Sequence, residues 1–192
     1  MNIEFIVPTY ERTDHLMCCI ASIMAQTVPN WTIHVIADGS PKELFSKVIK
    51  YCEDDKRIRF SFLGKRHNDW GHTLRNVGVQ QAAEEWIVTT GEDNYYVCSF
   101  VEEFLSVIDQ DTKFVYSDMI HNKFLYRYFD CSPKLTKIDA GNFAVRADLA
   151  KQMEYRTNDS GADGYYVEEY VDKFCQGFNN IKKISQALYV HN

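Results

Sequence analysis

Short apolar runs, each followed by polar or glycine-containing residues, recur along the first half of the chain. Their β-branched and aromatic residues predict four strands, at residues 3–7, 31–37, 58–63 and 86–90. Segments with apolar residues at helical spacing separate the runs and predict helices that end near residues 26 and 52 and that span residues 72–83 and 100–108. Right-handed crossovers join strands in this order into a parallel sheet, so the pattern predicts a doubly wound α/β fold.

Two serines that are followed three residues later by a glutamate have the form of capping boxes. They are Ser40 with Glu43, where Pro41 follows the serine, and Ser99 with Glu102. In a capping box the serine hydroxyl accepts a hydrogen bond from a free amide of the first helical turn. The two motifs therefore predict the starts of the second and fourth helices.

The pattern changes after residue 108. Strand-like runs at residues 114–117 and 124–129 flank the polar turn 121–123 and predict an antiparallel hairpin. The later predicted elements are a strand at 138–145, a helix at 146–153, a loop at 158–164, a helix at 165–175 and a strand at 181–190. We therefore expect one α/β domain over residues 1–192, with a mostly parallel central sheet, helices on both faces and a smaller mixed or antiparallel C-terminal part.

The charge of the chain narrows its possible partners. The 192 residues carry a formal net charge of -6, and the basic residues are scattered rather than clustered. This distribution argues against a nucleic-acid surface and against an anionic membrane surface. We therefore expect any bound phosphate to be held by a metal ion, backbone amides and a few local cations.

The cysteines and the apolar segments indicate the cellular compartment in which we expect the protein. The six cysteines show no CxxC pair and no zinc-ligand spacing, which predicts free, mostly buried thiols in a reducing environment. The first residues lack the pattern of a signal peptide, and no stretch approaches the ~18 apolar residues of a membrane span. The expectation is a soluble, cytoplasmic protein without a transmembrane segment, whose oligomeric state the sequence leaves open.

Polar side chains directly follow three of the predicted strands. The first strand ends in Pro8-Thr9-Tyr10, the second in Asp38-Gly39-Ser40 and the fourth in Gly91-Glu92-Asp93-Asn94. Ligands of open α/β sheets bind outside the carboxyl ends of the strands. Glu92 and Asp93 are therefore placed where a hard cation, and the phosphates that it carries, could be held.

These strand ends, together with the helix residues Arg75 and Asn76, resemble the motifs of the inverting glycosyltransferases of family 2, which have the GT-A fold. That family has a V-P-T-Y strand end, a D-D-G-S strand end, an N-x-x-G-x-x-x-A-R-N-x-G helix and a D-x-D-D strand end. The matching positions in this chain are Val7 to Tyr10, Ala37 to Ser40, Asn68, Gly71, Arg75, Asn76, Gly78 and Gly91 to Asn94. The resemblance covers residues 1–100 well and the remainder loosely.

The resemblance implies a reaction, in which a sugar passes with inversion from a nucleotide-sugar donor to a hydroxyl of a glycan or other acceptor. It implies a UDP-sugar as donor, Mn²⁺ or Mg²⁺ as cation, a nucleotide-sugar-binding half at residues 1–97 and an acceptor-binding half at residues 98–192. The donor-binding residues expected on this basis are Pro8, Thr9, Tyr10, Arg12, Asp38, Asn68, Gly71, Arg75, Glu92 and Asp93.

Asp38 and Arg75 have specific roles available in donor binding. A carboxylate at the end of the second strand can accept the N3–H of a uracil ring, and the alternative is an acid that satisfies the amides of the next helix. In the family pattern Arg75 points to the base and the phosphates, which suits a planar and permanently charged group. The alternative for Arg75 is a surface charge on the helix.

Asp93 aligns with the last metal-binding position of the family's acidic motif. Oxygen ligands suit Mn²⁺ or Mg²⁺, and a cation between the two donor phosphates neutralises charge on the leaving diphosphate. Gly91 replaces the usual first acid, and Glu92 is expected at the ribose hydroxyls or at a metal-bound water, with a plain surface acid as the alternative. His191, at the end of the last strand, is the second expected metal ligand, and an exposed terminal histidine is the alternative.

An inverting displacement needs a general base to deprotonate the acceptor hydroxyl. The family supplies it from an E-D pair at the start of a helix in the second half, which best matches Ala162-Asp163. Asp163 is therefore the candidate base, and a helix N-cap is its alternative role. Asp159, Glu168 and Glu169 are the other carboxylates that could serve.

Two other functions stay open at this point. A sugar nucleotidyltransferase needs a glycine-rich, basic loop after the first strand, whereas residues 8–15 contain no glycine and one arginine, Arg12. A non-catalytic nucleotide-sugar-binding or carbohydrate-binding module is favoured by the missing acids at Gly91 and Ala162.

Overall fold

The computed structural model of the chain describes residues 1–177 and 179–192. Its strands are β1 (Ile3–Thr9), β2 (Trp31–Ala37), β3 (Ile58–Phe62), β4 (Trp86–Thr89), β5 (Tyr95–Tyr96), β6 (Phe114–His121), β7 (Arg127–Phe129), β8 (Phe143–Arg146) and β9 (Ile181–His191). Its α-helices are α1 (Thr13–Met24), α2 (Ser46–Cys52), α3 (His72–Gln80), α4 (Phe100–Val107), α5 (Ala147–Ala150) and α6 (Ala162–Phe174).

The first half of the chain builds a parallel sheet in the order β3-β2-β1-β4. Every residue of β1 is buried, because neighbouring strands flank it on both edges and other elements cover both of its faces. In the register Thr9 pairs with Ala37, and Ile6 pairs with Thr89. The polar residues that follow these three strands therefore lie together at one edge of the sheet.

The second half extends the same sheet with mixed pairing. β8 is antiparallel to β4 and to β6, β9 is parallel to β6, and β5 is antiparallel to β9. The β6–β9 ladder brings His191 beside His121 at its far end. β7 pairs antiparallel with β6, which confirms the predicted hairpin, and a 3₁₀ helix at Asn122–Phe124 begins its turn.

The buried apolar side chains form a cluster that includes both halves of the chain. Phe5 of β1 lies 4.9 Å from Tyr96 between ring centroids, and Tyr96 lies 5.4 Å from Tyr189 of β9. α3 packs closely on β1, because a Cβ at Gly78 would lie 2.3 Å from Ile6 Cγ2. Only glycine permits this approach, which explains the last glycine of the helix motif.

Both predicted capping boxes are wrong. The Ser40 hydroxyl is buried without a hydrogen-bond partner, and a 3₁₀ helix, Lys42–Phe45, precedes α2. Ser99 makes no side-chain cap, and Glu102 instead accepts a hydrogen bond of 2.7 Å from the Thr27 hydroxyl. A tertiary partner therefore holds Glu102, whereas the Ser40 hydroxyl caps no helix and stays without a partner.

Several predicted boundaries also shift. α6 begins at Ala162, three residues before the predicted start, so that Asp163 lies in its first turn. A 3₁₀ helix, Ala140–Asn142, delays β8 to Phe143, and the helix predicted at 146–153 is reduced to α5. The pattern did not predict β5, which has two residues.

All six cysteines are free thiols, as predicted, but only Cys19, Cys52 and Cys131 are buried, whereas Cys18 and Cys98 are exposed. Among the described residues, every helix is too short or too polar to cross a lipid bilayer.

Candidate active site

A cavity of about 530 Å³ opens at the carboxyl ends of β1, β2 and β4. It lies where the sheet order places ligands in α/β folds. Every residue predicted for the site lines it: Pro8, Thr9, Tyr10, Arg12, Asp38, Asn68, Gly71, Arg75, Glu92, Asp93, Asp163 and His191.

Asp38 holds the loop between β3 and α3 against the end of β2. Its carboxylate accepts hydrogen bonds from the His67 amide at 2.8 Å, the His67 Nδ1 at 3.0 Å and the Asn68 amide at 3.1 Å. Burial opposes ionisation of Asp38, but these hydrogen bonds outweigh it and lower the pKa of the carboxyl. Since a carboxylate accepts about four hydrogen bonds, a ligand donor can still be accommodated.

The same loop forms a stacking surface. The Arg66 guanidinium lies 3.6 Å from the centroid of the Tyr10 ring and also donates to Asn68 Oδ1 at 2.9 Å. Sequence reasoning missed Arg66, which belongs to an exposed loop without a motif of its own. Tyr10 and Arg66 present planar groups of the kind on which a nucleobase stacks.

Gly71 brings the start of α3 close to the end of β1. Its φ is +81°, and a Cβ there would lie 2.8 Å from Pro8 Cβ. Both the left-handed backbone and the close contact require glycine. This close approach accounts for the presence of Pro8 and Gly71 on the same cavity wall.

Arg75 connects the β3–α3 loop to the end of β4. Its Nη1 donates to the Trp70 carbonyl at 2.8 Å and its Nη2 to the Thr90 carbonyl at 3.2 Å. The Nε of Arg75 is buried without a partner. A buried cation with an unused donor favours an anionic ligand nearby.

Arg12 forms ion pairs with both acids of the motif that follows β4. Its Nη1 lies 2.6 Å from Asp93 Oδ2 and 3.7 Å from Glu92 Oε1. Burial and, next, the negative charge of Asp93 raise the pKa of Glu92 to about 7, although Arg12 opposes the shift. Glu92 can therefore donate as well as accept a hydrogen bond near neutral pH, whereas Asp93 is the more exposed acid.

A divalent cation fits the residues at this edge. No set of three or more His, Cys, Asp or Glu side chains is arranged as a metal site in the described residues. A cation carried by phosphates needs only one or two protein ligands, however. Asp93 and His191 line the same cavity. His191 Nε2 lies 3.2 Å from Asp139 Oδ2, and His191 Nδ1 is buried without a partner. A histidine held by a carboxylate through one nitrogen, with the other nitrogen free, has the typical arrangement of a metal ligand.

Asp139 was not predicted as a site residue, yet it organises the opposite side of the cavity. It accepts hydrogen bonds from the Tyr189 hydroxyl at 2.5 Å and the Gly141 amide at 3.2 Å, in addition to its pair with His191. Burial opposes ionisation, but these partners outweigh it and hold the pKa of Asp139 below its usual value. Asp139 is therefore a fixed negative charge.

Asp163 lies in the first turn of α6 and lines the cavity. Burial raises the pKa of this carboxyl to about 6, and the charge of Asp139 contributes, whereas Arg75 opposes the shift. No side chain among the described residues donates to Asp163. The amides of Asp163 and Gly164 also lower the pKa, but less than burial raises it. The cavity therefore contains a carboxylate that has no side-chain donor among the described residues and is unusually basic.

The alternative carboxylates are engaged elsewhere. Asp159 accepts the Gly161 amide at 2.8 Å, Glu168 accepts the Leu135 amide at 2.9 Å, and Glu169 pairs with Arg156 at the surface. None of the three acids lines the cavity. Asp163 is the candidate base that the geometry retains.

The family model described as Glycosyl transferase family 2 matches residues 4–153. The chain belongs to this family. The prediction of family 2 from the strand-end motifs is thereby confirmed.

Among curated relatives, an uncharacterized glycosyltransferase of Rickettsia bellii is 28% identical over 144 residues, which is 74% of this chain and 19% of the relative. The UDP-Glc:alpha-D-GlcNAc-diphosphoundecaprenol beta-1,3-glucosyltransferase WfgD of Escherichia coli is 23% identical over 137 residues, which is 70% of this chain and 53% of WfgD. The chain thus spans only part of these relatives.

Solved structures share the fold. The structure of S. aureus TarS 1-349 superposes with a TM-score of 0.81 at 17% identity and covers 100% of this chain, which spans 60% of TarS 1-349. The mannosyltransferase PcManGT from Pyrobaculum calidifontis, solved in complex with GDP-Man and Mn2+, has a TM-score of 0.78 at 14% identity, with coverage of 99% of this chain and 56% of PcManGT. The predicted GT-A fold is confirmed.

Proposed function

We propose that this chain is the catalytic part of a metal-dependent inverting glycosyltransferase, which moves a sugar from a UDP-sugar to a hydroxyl of a glycan or other acceptor. One observation carries the proposal: a single cavity joins the acids at the end of β4 to Asp163, the basic carboxylate in the first turn of α6. Structures of the similar TarS contain UDP and UDP-GlcNAc, and PcManGT was solved with GDP-Man and Mn2+.

Asp38 and Tyr10 favour uracil as the base. The Asp38 carboxylate has accepting capacity left beside its loop partners and lies next to the Tyr10–Arg66 stack. An acceptor in the plane of a stacked base selects a ring that presents N–H, as uracil does at N3. We therefore assign Asp38 to base recognition and Tyr10 with Arg66 to stacking.

Asp93 and His191 would hold the divalent cation. Such a cation, when bound, neutralises negative charge on the leaving diphosphate. Arg12 has a side chain that is 51% exposed and bonds to Asp93. Because the side chain is long and partly free in solvent, Arg12 can exchange this carboxylate for a phosphate oxygen of the donor.

Asp163 would take the proton of the acceptor hydroxyl as that oxygen attacks the anomeric carbon. A pKa of about 6 leaves most of the carboxyl ionised at neutral pH and makes it a stronger base than an ordinary aspartate. Inversion requires attack from the side opposite the leaving diphosphate. Asp163 of α6 and the acids that follow β4 come from different elements of the cavity wall, which supports this arrangement.

A non-catalytic nucleotide-sugar-binding module is the competing function. It is favoured by the absence of acids at positions 91 and 162 and by the occupation of Asp93 by Arg12. A module of this kind binds its sugar ligand without a metal ion and without turnover, whereas the proposed enzyme needs the cation to hold the diphosphate.

A thermal-shift screen of nucleotide sugars with and without Mn²⁺ tests the proposal, because a ligand that binds only the native state raises its unfolding midpoint. We expect UDP-sugars with Mn²⁺ to give the largest increase, above GDP-, CMP- and dTDP-sugars. An equal increase without metal would favour the module. No shift with any nucleotide sugar in either condition would contradict the proposal.

A further inference from the structure

Large apolar side chains are exposed at one place in the described structure more than at any other. The β6–β7 turn, residues 122–128, is called here the hairpin tip. It contains four of the nine large apolar side chains that are exposed in the described residues, with exposed fractions from 47% to 79%. These four are Phe124, Leu125, Tyr126 and Tyr128.

The backbone of the hairpin tip is held in a conformation that keeps Leu125 outside the domain. Leu125 and Tyr126 have φ values of 54° and 55°, in the left-handed region that residues with side chains rarely adopt. The Leu125 amide donates to the Asn122 carbonyl at 2.9 Å, and the Tyr126 amide donates to the His121 carbonyl at 3.1 Å. Leu125 is the most exposed large apolar residue of the described chain, so packing within the domain does not offset this unfavourable backbone.

The hairpin tip is firmly attached at its base. The Phe124 ring stacks on Phe129 with 5.0 Å between centroids. The Tyr126 hydroxyl donates to Asn192 Oδ1 at 2.6 Å, and the Tyr128 hydroxyl donates to Asp118. These contacts hold the tip in place, while Leu125 makes none of them and is 79% exposed.

Two cations lie among these apolar residues. Lys123 and Arg127 are exposed, and neither forms an ion pair with a residue that the structure describes, whereas Lys183 nearby pairs with Asp118 and Asp130. The chain as a whole has a net charge of -6, whereas the hairpin tip contains two basic residues and no acidic one. Charge complementarity at the hairpin tip favours an anionic partner.

We propose that the hairpin tip inserts into the headgroup region of an anionic lipid membrane. A projecting apolar residue can enter a deformable lipid layer, whereas a protein partner would need a matching pocket for it. Tyrosine rings suit the polar boundary of a bilayer, and lysine and arginine bind anionic headgroups from the same position. The scattered basic residues of the sequence exclude a broad basic face, but they do not exclude a local contact of this size.

The base of the hairpin tip lies beside residues that line the cavity. The His121 ring at the base of the tip stacks on His191 with 4.2 Å between centroids, and His191 lines the cavity. The Asn192 amide donates to Asn94 Oδ1 at 3.2 Å, on the same rim. Membrane contact would place the cavity near the lipid surface. If the proposed function holds, an acceptor carried by the membrane would then be within reach of Asp163.

Vesicle co-sedimentation of the 192-residue chain tests the proposal without any enzymatic assay. The probes are vesicles of phosphatidylcholine alone and of phosphatidylcholine mixed with phosphatidylglycerol, each at low and high salt. The variants at the tip are Leu125→Asp and Lys123→Gln/Arg127→Gln. The matched controls are Leu44→Asp, at another exposed leucine, and Lys47→Gln/Lys50→Gln, at two exposed lysines of α2.

We expect the wild-type chain to sediment with the anionic vesicles, less so at high salt, and both tip variants to reduce the bound fraction about tenfold or more. The control variants should bind as the wild type does. All variants should keep the wild-type unfolding midpoint, since the changed side chains are exposed. Absence of wild-type binding to anionic vesicles, or an equal loss in tip and control variants, would overturn the proposal, as would unchanged binding of Leu125→Asp. Donor binding measured in the absence of vesicles reports on the proposed function independently of this result.

Discussion

The cavity has two walls that hold their carboxylates in different ways. The N-terminal wall, with Asp38, Glu92 and Asp93, gives each acid a partner: Asp38 holds the β3–α3 loop, and Arg12 pairs with the other two. In the C-terminal wall, side-chain partners hold Asp139, whereas no side chain among the described residues donates to Asp163.

The contrast within the C-terminal wall is the more informative one. Asp139 receives hydrogen bonds from Tyr189 and Gly141, which lower its pKa, and its fixed charge contributes to the raised pKa of Asp163. Two carboxyls whose environments separate their pKa values in this way are typical of an acid–base assignment. Under the proposed function, the N-terminal wall binds the donor and its cation, and Asp163 of the C-terminal wall accepts the proton.

The largest expected effect is the loss of sugar transfer on substitution of Asp163, and it distinguishes the roles of the two walls. Asp163→Asn should lower sugar transfer by about 10²–10⁴-fold, the usual contribution of a general base, while UDP affinity stays unchanged. The rate of transfer and the calorimetric affinity for UDP with Mn²⁺ measure the two quantities. Asp172→Asn, at an exposed position of the same helix, is the matched control and should behave as the wild type. A loss that lies entirely in UDP affinity would assign Asp163 to the donor.

The next effect concerns the cation. Asp93→Asn removes a proposed direct ligand, so the metal-dependent part of UDP binding should fall by more than the ~10–100-fold that a lost outer partner costs. Calorimetry with Mn²⁺ and with a chelator measures this part. Asp14→Asn, an exposed acid in the first turn of α1, is the control. Full metal-dependent affinity in the Asp93 variant would transfer the ligand role to Glu92 or His191.

A smaller effect is expected at Asp38. Asp38→Ala should weaken UDP binding by roughly 1–3 kcal/mol, because the N3–H of the bound uracil loses its acceptor. The variant also loosens the β3–α3 loop, so UDP should be compared with UDP methylated at N3. The wild-type chain should prefer UDP, and the variant should bind both nucleotides equally. A variant that retained the preference would contradict the base assignment.

The smallest effect is on stability. Asp163 has a pKa of about 6 in the folded protein, above the ~3.9 of an unfolded aspartate. The folded state therefore binds more protons than the unfolded state between these values, and Asp163 costs stability as the pH rises through this window. Asp163→Asn should be more stable than the wild type by about 1–2 kcal/mol at pH values above the window and equal to it below both pKa values. Denaturant unfolding measures the difference, and an equal gain at every pH would point to packing instead.

The N-terminal wall could be predicted from sequence because its signals are local. β2 has the predicted bounds, Trp31–Ala37, and each polar group follows its own buried strand directly. Parallel pairing then brings the groups together without further information. The sequence could not show that Arg12 would pair with Asp93, because that contact joins side chains 81 positions apart.

The C-terminal wall was predicted less completely, for physical reasons. The glycines around Asp163 have the composition of a loop, yet the helix begins at Ala162. Gly141, two residues after Asp139, packs against the Tyr189 ring, and a Cβ on Gly141 would lie 2.2 Å from a ring carbon. The Tyr189 and His191 partners of Asp139 do not follow from local pattern, because they come from β9. Its effect on Asp163 does not follow either, because Asp163 belongs to α6.

The central claim is that Asp163 is the one aspartate of the cavity poised to take a proton. Aspartate-selective ¹³C labelling of the side-chain carboxyls, followed by NMR titration of the wild type and of Asp163→Asn, tests it directly and needs no substrate. The account predicts one aspartate that titrates near pH 6 in the wild type and is missing in the variant. It would be contradicted if the resonance lost in the variant titrated near the usual pKa of aspartate.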